Sequence, residues 1–113
     1  MDMDAPIQIS ASDWLEVQRV LAEQVPRLEV WAFGSRAKNS AKPYSDLDLA
    51  IISAKPMSLA ELAALVSAFD ASDLTIGVDI VDWACTSESF RRIILAEKVA
   101  IQQPSVGTGG NGW

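Results

Sequence analysis

The stretch VWAFGSRAKNSAKPYSDLDLAII, Val30 to Ile52, contains two short apolar runs joined by a glycine turn and a polar connector. The first run ends at Gly34-Ser35, and the second follows the acidic pair Asp46 and Asp48. Compact apolar runs bounded by turn residues are typical of buried strands. The sequence therefore predicts a strand, a turn, a polar loop and a second strand, and we expect the rest of the chain to pack around this unit.

Two carboxylates lie two positions apart at the start of the second predicted strand. Because side chains alternate along a strand, Asp46 and Asp48 should point to one face, and Leu47 and Leu49 to the core. Neighbouring carboxylates repel each other unless a cation lies between them. Mg²⁺ takes one or two protein carboxylates and leaves its other positions to water and phosphates. We therefore expect a Mg²⁺ site at Asp46 and Asp48.

The glycine turn has the properties of a phosphate-binding site. Gly34 has no side chain, so a phosphate can approach its backbone closely. Ser35 adds a hydroxyl donor, and the N–H groups that enter the following turn point toward the same anion. A phosphate-binding turn beside a metal-binding strand predicts that Gly34 and Ser35 bind a nucleotide.

Gly34-Ser35, followed after ten residues by Asp46-x-Asp48, resembles the signature of the polymerase-beta-type nucleotidyltransferases. The string GSRAKNSAKPYSDLDLAII is most similar to the minimal nucleotidyltransferases, small proteins that pair with HEPN-domain toxins as antitoxins. The resemblance covers about residues 12 to 101. One departure is Asn39, where the family commonly has Gly; Asn tolerates a left-handed backbone better than most residues.

The resemblance implies an enzyme that transfers a nucleoside monophosphate, most simply AMP from ATP, to a hydroxyl of a partner protein. The implied partner is a cognate HEPN-domain toxin, held in a hetero-oligomer and silenced by modification of a tyrosine. The family also places a third acidic residue on a neighbouring strand. Asp79 in TIGVDIVDW matches it, so Asp46, Asp48 and Asp79 are the expected catalytic metal ligands. Asp82 faces the opposite side of that strand and is the alternative.

Composition limits the other possibilities. The 113 residues, half of them apolar, suffice for one domain, and no apolar run reaches the length of a membrane span. The absence of histidine excludes His-based zinc sites and Ser-His or Cys-His nucleophiles. A single cysteine, Cys85, forms no internal disulfide, which favours a cytoplasmic protein. We expect Cys85 to be buried rather than reactive.

The net charge is −6, and no basic cluster occurs in the sequence. Nucleic-acid-binding proteins need a basic face to neutralise phosphates, so we expect no direct contact with DNA or RNA. This balance does not argue against ATP, because a bound metal supplies positive charge. Two roles are equally compatible with Arg36 and Lys38: they could contact the triphosphate, or they could be solvated charges on a short helix.

Periodicity and capping patterns give the remaining elements of a small mixed sheet with helices packed on it. We expect one domain over residues 1–103, with a loose segment before the first helix, and a flexible tail over residues 104–113. Three helices are expected. The first covers Asp13–Gln24 and begins with an Asp13/Glu16 capping box. The second is capped by Ser58, with inward side chains at Leu62, Leu65, Val66 and Phe69. The third covers Ser87–Glu97, with Phe90, Ile93 and Ile94 inward and Arg91 and Arg92 outward. The expected strands are Leu28–Phe33, Asp46–Ser53, Thr75–Trp83 and a short piece at Val99–Ile101, with helical turns over Ser35–Asn39.

Two further functions remain open at this point. The chain could neutralise a toxin by binding alone, with a vestigial nucleotide site; the intact Gly-Ser and Asp-x-Asp patterns argue against complete decay. It could also transfer a nucleotide to a small molecule such as an aminoglycoside, since an acidic groove attracts a cationic drug. The lack of a second domain to hold that substrate argues against this alternative.

Overall fold

The computed structural model describes residues 5–105, in which four strands form one mixed sheet and three α-helices pack against it. In chain order the elements are α1 (Ala11–Gln24), β1 (Glu29–Phe33), β2 (Leu47–Ile52), α2 (Leu59–Asp70), β3 (Val78–Asp82), a 3-10 helix (Trp83–Cys85), α3 (Glu88–Glu97) and β4 (Val99–Gln102). The strand order is β3-β2-β1-β4; β1 is antiparallel to β2 and β4, and β2 is parallel to β3. The predicted α/β fold with a small mixed sheet is confirmed.

Helices α1 and α2 cover one face of the sheet. The alternation of β2 sends Leu47, Leu49 and Ile51 into this layer, where all three are fully buried. Leu65 and Phe69 of α2 complete the layer, as the helical spacing predicts. Ser58 and Glu61 form the predicted capping box at the start of α2. This layer is the main hydrophobic core and lies on the face away from Asp48.

Helix α3 lies on the opposite face of the sheet. Its Ile94 is fully buried against Trp31, Phe33 and Ala50. The Trp31 ring meets the Trp83 ring edge-on, with centroids 5.2 Å apart. This second, smaller core fixes α3 beside the carboxylate-bearing end of β2.

The start of α1 differs from the prediction. Ser10 is the N-cap, and its hydroxyl accepts a hydrogen bond from the Asp13 N–H, so Asp13 does not cap the helix. Asp13 is instead buried, at 3 % exposure, and accepts hydrogen bonds from the Thr75 N–H at 3.0 Å and the Thr75 hydroxyl at 2.6 Å. The prediction failed because Thr75 is 62 residues away along the chain.

The segment before α1 is more ordered than expected. Ile7 is buried in the main core, at 7 % exposure. The Gln8 N–H donates to the Arg36 carbonyl at 2.8 Å, and the Gln8 side chain exchanges two hydrogen bonds with the backbone of Ala41. The prediction of a loose lead-in is therefore wrong for residues 5–10.

Strand β3 is shorter than the predicted Thr75–Trp83. It ends at Asp82, whose carboxylate accepts a hydrogen bond from the Ala84 N–H and starts the 3-10 helix. The expectation of a buried Cys85 is wrong: the thiol is exposed and lies 3.5 Å from Asp82 Oδ2. The turn that Asp82 initiates accounts for the end of the strand and for the exposure of Cys85, whereas at the other end β3 begins only at Val78.

The inward faces of α2 and α3 are narrower than predicted. Val66 is 42 % exposed and Ile93 is 51 % exposed, so neither is a core residue. Phe90 lies at the rim, edge-on to Phe33. Arg91, expected outward, packs its guanidinium 4.7 Å from the centroid of the Trp83 ring and donates to the Trp83 carbonyl. The sheet is too small to cover a full helical stripe on either side.

The chain's two ends are described only in part. The predicted tail falls mostly outside the described residues; within them, the Ser105 N–H donates to the Pro26 carbonyl at 2.7 Å. Between residues 5 and 105, no helix has the length and apolar character that crossing a membrane requires.

The buried Asp13 makes a testable contribution to stability. Asp13→Ala leaves the N–H and the hydroxyl of Thr75 without their acceptor. Because Thr75 is exposed and water can replace part of these hydrogen bonds, we expect the free energy of unfolding to fall by about 1–2 kcal/mol. Urea unfolding followed by tryptophan fluorescence measures the change. Gln18→Ala, on the exposed side of the same helix, serves as control and should change stability by less than about 0.5 kcal/mol. Equal effects of the two substitutions would contradict this role of Asp13.

Candidate active site

Strand register brings the two central acidic residues together. Asp48 on β2 pairs with Asp79 on the parallel strand β3, so both side chains leave the sheet on the same face. Asp48 also pairs with Phe33, the last residue of β1 and the residue before Gly34. Asp79 is exposed, because β3 is an edge strand. Its predicted orientation toward Asp48 agrees with the register.

The glycine turn and the acidic strand are in direct contact. Gly34 has φ +77°, a left-handed conformation that favours glycine. A methyl group built on Gly34 would collide with Asp48 Oδ2 and would lie 3.2 Å from Asp48 Cγ. Glycine is therefore required here for two reasons, the backbone conformation and the position of the Asp48 carboxylate.

A second glycine has the same relation to Asp46. A methyl group built on Gly77 would lie 2.7 Å from Asp46 Oδ1, closer than real side-chain contacts allow. The Gly77 carbonyl accepts a hydrogen bond from the Leu47 N–H, which ties the start of β2 to the approach to β3. Gly77 was missed by the sequence analysis. Its signal was available, since glycine beside a strand often marks a close approach of another group.

The Asp48 carboxylate is electrostatically strained. Its pKa is raised above the ordinary value of 3.8, first by burial and then by the negative charges of Asp79, Asp46 and Glu97. Within residues 5–105, no three acidic or thiol side chains converge closely enough to hold a metal ion by themselves. The site therefore combines converging negative charge with an incomplete set of ligands.

The turn after β1 presents backbone donors. The N–H groups of Ala37 and Lys38 both donate to the Gly34 carbonyl at 3.1 Å, which gives hydrogen-bonded turns rather than a regular helix over Ser35–Asn39. No hydrogen bond within the described part of the chain uses the N–H of Ser35 or Arg36. Asn39 has φ +59°, the left-handed conformation that the sequence analysis anticipated for this position. The geometry fits anion binding by the turn.

Arg36 has a role that neither sequence interpretation anticipated. Its side chain is 6 % exposed and donates to three carbonyl groups, those of Ser45 at 2.9 Å, Gln8 at 2.8 Å and Pro43 at 3.3 Å. Arg36 therefore holds the connector between the glycine turn and Asp46. It is neither a solvated charge nor a free phosphate ligand.

Glu97 is the other residue that the sequence analysis missed. Its Oε1 accepts a hydrogen bond from the Gly34 N–H at 3.0 Å, and its Oε2 lies 3.2 Å from Lys38 Nζ. Glu97 is the last residue of α3, 63 positions from Gly34 along the chain. Local sequence around either residue carries no indication of this contact.

Asp82 has a structural role. Burial alone would raise its pKa, but hydrogen bonds from the Ser53 hydroxyl at its Oδ1 and from the Met57 N–H at its Oδ2, 2.8 Å away, outweigh burial, so the pKa is lowered. It lies on the face of β3 opposite Asp79. The geometry therefore favours Asp79 over Asp82 as the third acidic residue of the site.

The residues present fit a Mg²⁺–nucleotide. Burial and then the negative charges of Asp79, Asp46 and Glu97 raise the pKa of Asp48, and a bound cation would relieve both effects. The closeness of Asp48 to Gly34 places the carboxylates beside the donors of the turn. Mg²⁺ requires only one or two carboxylates when phosphates supply the other oxygens, which agrees with a ligand set that the protein leaves incomplete.

The raised pKa of Asp48 predicts a pH-dependent effect of Asp48→Asn. Because ionisation of Asp48 is less favourable in the folded chain, it costs stability above pH 3.8 and the cost vanishes below that value. At pH 7 we expect Asp48→Asn to raise the free energy of unfolding, by less than about 1 kcal/mol because solvent screens the site. Urea unfolding at several pH values should show the gain shrinking as pH falls below about 4.

Asp73→Asn is the control, since Asp73 is exposed and is not among the charged residues that raise the pKa of Asp48. A difference between the two variants that stays constant with pH would contradict the strain at Asp48.

Comparisons with known proteins identify the family of this chain. The family described as "Polymerase beta, Nucleotidyltransferase" matches residues 16–105. The Haemophilus influenzae "Probable protein adenylyltransferase MntA" is 48% identical over 99 residues, which cover 88% of this chain and 87% of that protein.

Two solved structures share the fold. A chain in the crystal structure of the toxin-antitoxin with AMP-PNP superposes with a TM-score of 0.63 and 21% identity, covering 81% of this chain and 74% of that chain. A chain in the structure of the tri-AMPylated Shewanella oneidensis HEPN toxin in complex with MNT antitoxin superposes with a TM-score of 0.58 and 20% identity, covering 81% of this chain and 71% of that chain. With the family match over most of its length and the close relative, the chain belongs to the polymerase beta nucleotidyltransferase family.

Proposed function

We propose that this protein is a Mg²⁺-dependent adenylyltransferase that transfers AMP from ATP to a hydroxyl group of a HEPN-domain toxin, and so acts as the antitoxin. The observation that carries the proposal is the contact between Asp48 and Gly34, which joins a carboxylate site to a phosphate-binding turn. The 48% identity to a probable protein adenylyltransferase supports protein adenylylation as the reaction.

Each group of the site has a place in this reaction. Asp46 and Asp48 would hold Mg²⁺, which when bound neutralises phosphate charge and polarises the phosphoryl group under attack. The N–H groups of Ser35 and Arg36, and the Ser35 hydroxyl, donate to the oxygens of the β- and γ-phosphates. Gly34 lets the triphosphate approach the backbone without steric conflict.

In the proposed transfer, AMP moves from ATP to the toxin hydroxyl in one displacement step. The toxin hydroxyl oxygen forms a bond to the α-phosphorus while the bond from that phosphorus to the bridging oxygen breaks and pyrophosphate leaves. Asp79, exposed and in register with Asp48, accepts the hydroxyl proton as general base. The product is the toxin carrying AMP in a phosphodiester linkage.

Several features support a protein as the acceptor. The site lies at one end of an open sheet, and Asp46 and Asp79 are both exposed. A structural neighbour of the same fold contains a tri-AMPylated HEPN toxin in complex with MNT antitoxin, and another contains AMP-PNP. These associations belong to those proteins; for this chain they indicate ATP and a HEPN toxin as the first donor and acceptor to test.

Removal of one site carboxylate tests the proposed activity. The purified protein is incubated with ATP, Mg²⁺ and the toxin encoded beside it, and the intact mass of each chain is measured. The toxin should gain the mass of one or more adenylyl groups. Asp48→Asn should lower the transfer rate by about a hundredfold or more, because it removes a charge that acts on the transition state.

Asp82→Asn is the matched control, since it makes the same change on the opposite face of β3. It should lower the free energy of unfolding by about 1–2 kcal/mol through its lost hydrogen bonds, and leave the rate per folded molecule unchanged. Asp79→Asn should reduce transfer and keep stability. Full transfer by Asp48→Asn would refute the mechanism, and toxin neutralisation without any mass gain would support antitoxin action by binding alone.

A further inference from the structure

The Glu97 side chain occupies donors that a phosphate would use. Its two carboxylate oxygens bind the Gly34 N–H at 3.0 Å and Lys38 Nζ at 3.2 Å. The Gly34 N–H lies at the start of the turn that the proposed function assigns to the triphosphate. A carboxylate is therefore held at the start of this turn by one backbone donor and one cation, the same kinds of group that bind a phosphate oxygen.

The position of Glu97 is electrostatically unfavourable apart from these two contacts. It is the last residue of α3, where the helix dipole presents negative charge and acidic side chains are disfavoured. It also lies close enough to Asp48 to contribute to the raised pKa of that carboxyl. The contacts with Gly34 and Lys38 therefore offset repulsion from the rest of the site.

The end of α3 is fixed, and the Glu97 side chain is partly exposed to solvent. Ile94, one turn earlier, is fully buried, and Lys98 Nζ lies 4.0 Å from the centroid of the Trp31 ring. The Glu97 side chain itself is 21% exposed. Rotation of this side chain toward solvent would free both donors without moving the helix.

We propose that Glu97 is an internal anion that fills the phosphate subsite and is displaced when nucleotide binds. Displacement releases the Gly34 N–H and Lys38 to the triphosphate, and the return of Glu97 after transfer helps expel pyrophosphate. Glu97 is thus a positioning residue that acts through Gly34 and Lys38 and weakens nucleotide affinity. This inference rests on the proposed function.

The test measures nucleotide affinity without catalysis. Isothermal titration calorimetry with AMP-PNP and Mg²⁺ compares the wild-type protein with Glu97→Gln, which keeps an acceptor for the Gly34 N–H but removes the competing charge. We expect the Kd to fall by about fivefold, the scale of one like-charge interaction near a protein surface. Glu88→Gln, at the other end of α3 in an exposed pair with Arg92, is the control and should leave the Kd unchanged.

A spectroscopic readout follows the contact itself. In wild-type protein, addition of AMP-PNP should shift the Gly34 amide resonance, and in Glu97→Ala that resonance should already be displaced before nucleotide is added. An unchanged or weaker affinity in Glu97→Gln would overturn the inference and leave Glu97 as a support for the turn. If neither the wild-type protein nor any variant binds AMP-PNP, the proposed function fails together with it.

Discussion

The contact between the Asp48 carboxylate and Gly34 is the constraint on which the site depends. It exists because β1 and β2 are antiparallel neighbours and because Asp48 lies opposite Phe33, the residue before the turn. Any side chain on Gly34 would push the carboxylate away from the turn. The fold thereby places the backbone donors of the turn and the carboxylates side by side.

The remainder of the structure holds this contact in place. The hydrophobic core that β2 forms with α1 and α2 holds β2 in place through the buried side chains of Leu47, Leu49 and Ile51. Arg36 fixes the connector by donating to three carbonyl groups, and Asp82 fixes the far face of β3. Arg36 and Asp82 therefore serve the architecture, while Asp79, which is exposed, and Asp48, whose pKa is raised, belong to the candidate site.

The sequence predicted the fold wherever the information is local. Strand alternation, the Ser58/Glu61 capping box and the left-handed backbone at Asn39 follow from neighbouring residues alone. The failures involve partners distant along the chain. Asp13 is satisfied by Thr75, and Glu97 reaches Gly34, and no local pattern identifies such pairs. The sequence predicted too many buried residues on α3, because apolar residues at helical spacing do not show how much of the sheet is available to cover them.

We propose that a metal–nucleotide binds where Asp48 meets the Gly34 turn. Mn²⁺ with AMP-PNP provides the most direct measurement, since a paramagnetic ion broadens the amide resonances of nearby residues. We expect nucleotide-dependent broadening at Gly34, Ser35, Asp48 and Asp79, with little effect in α2 on the opposite face of the sheet. Broadening centred elsewhere, or equal broadening in Asp48→Asn, would contradict it.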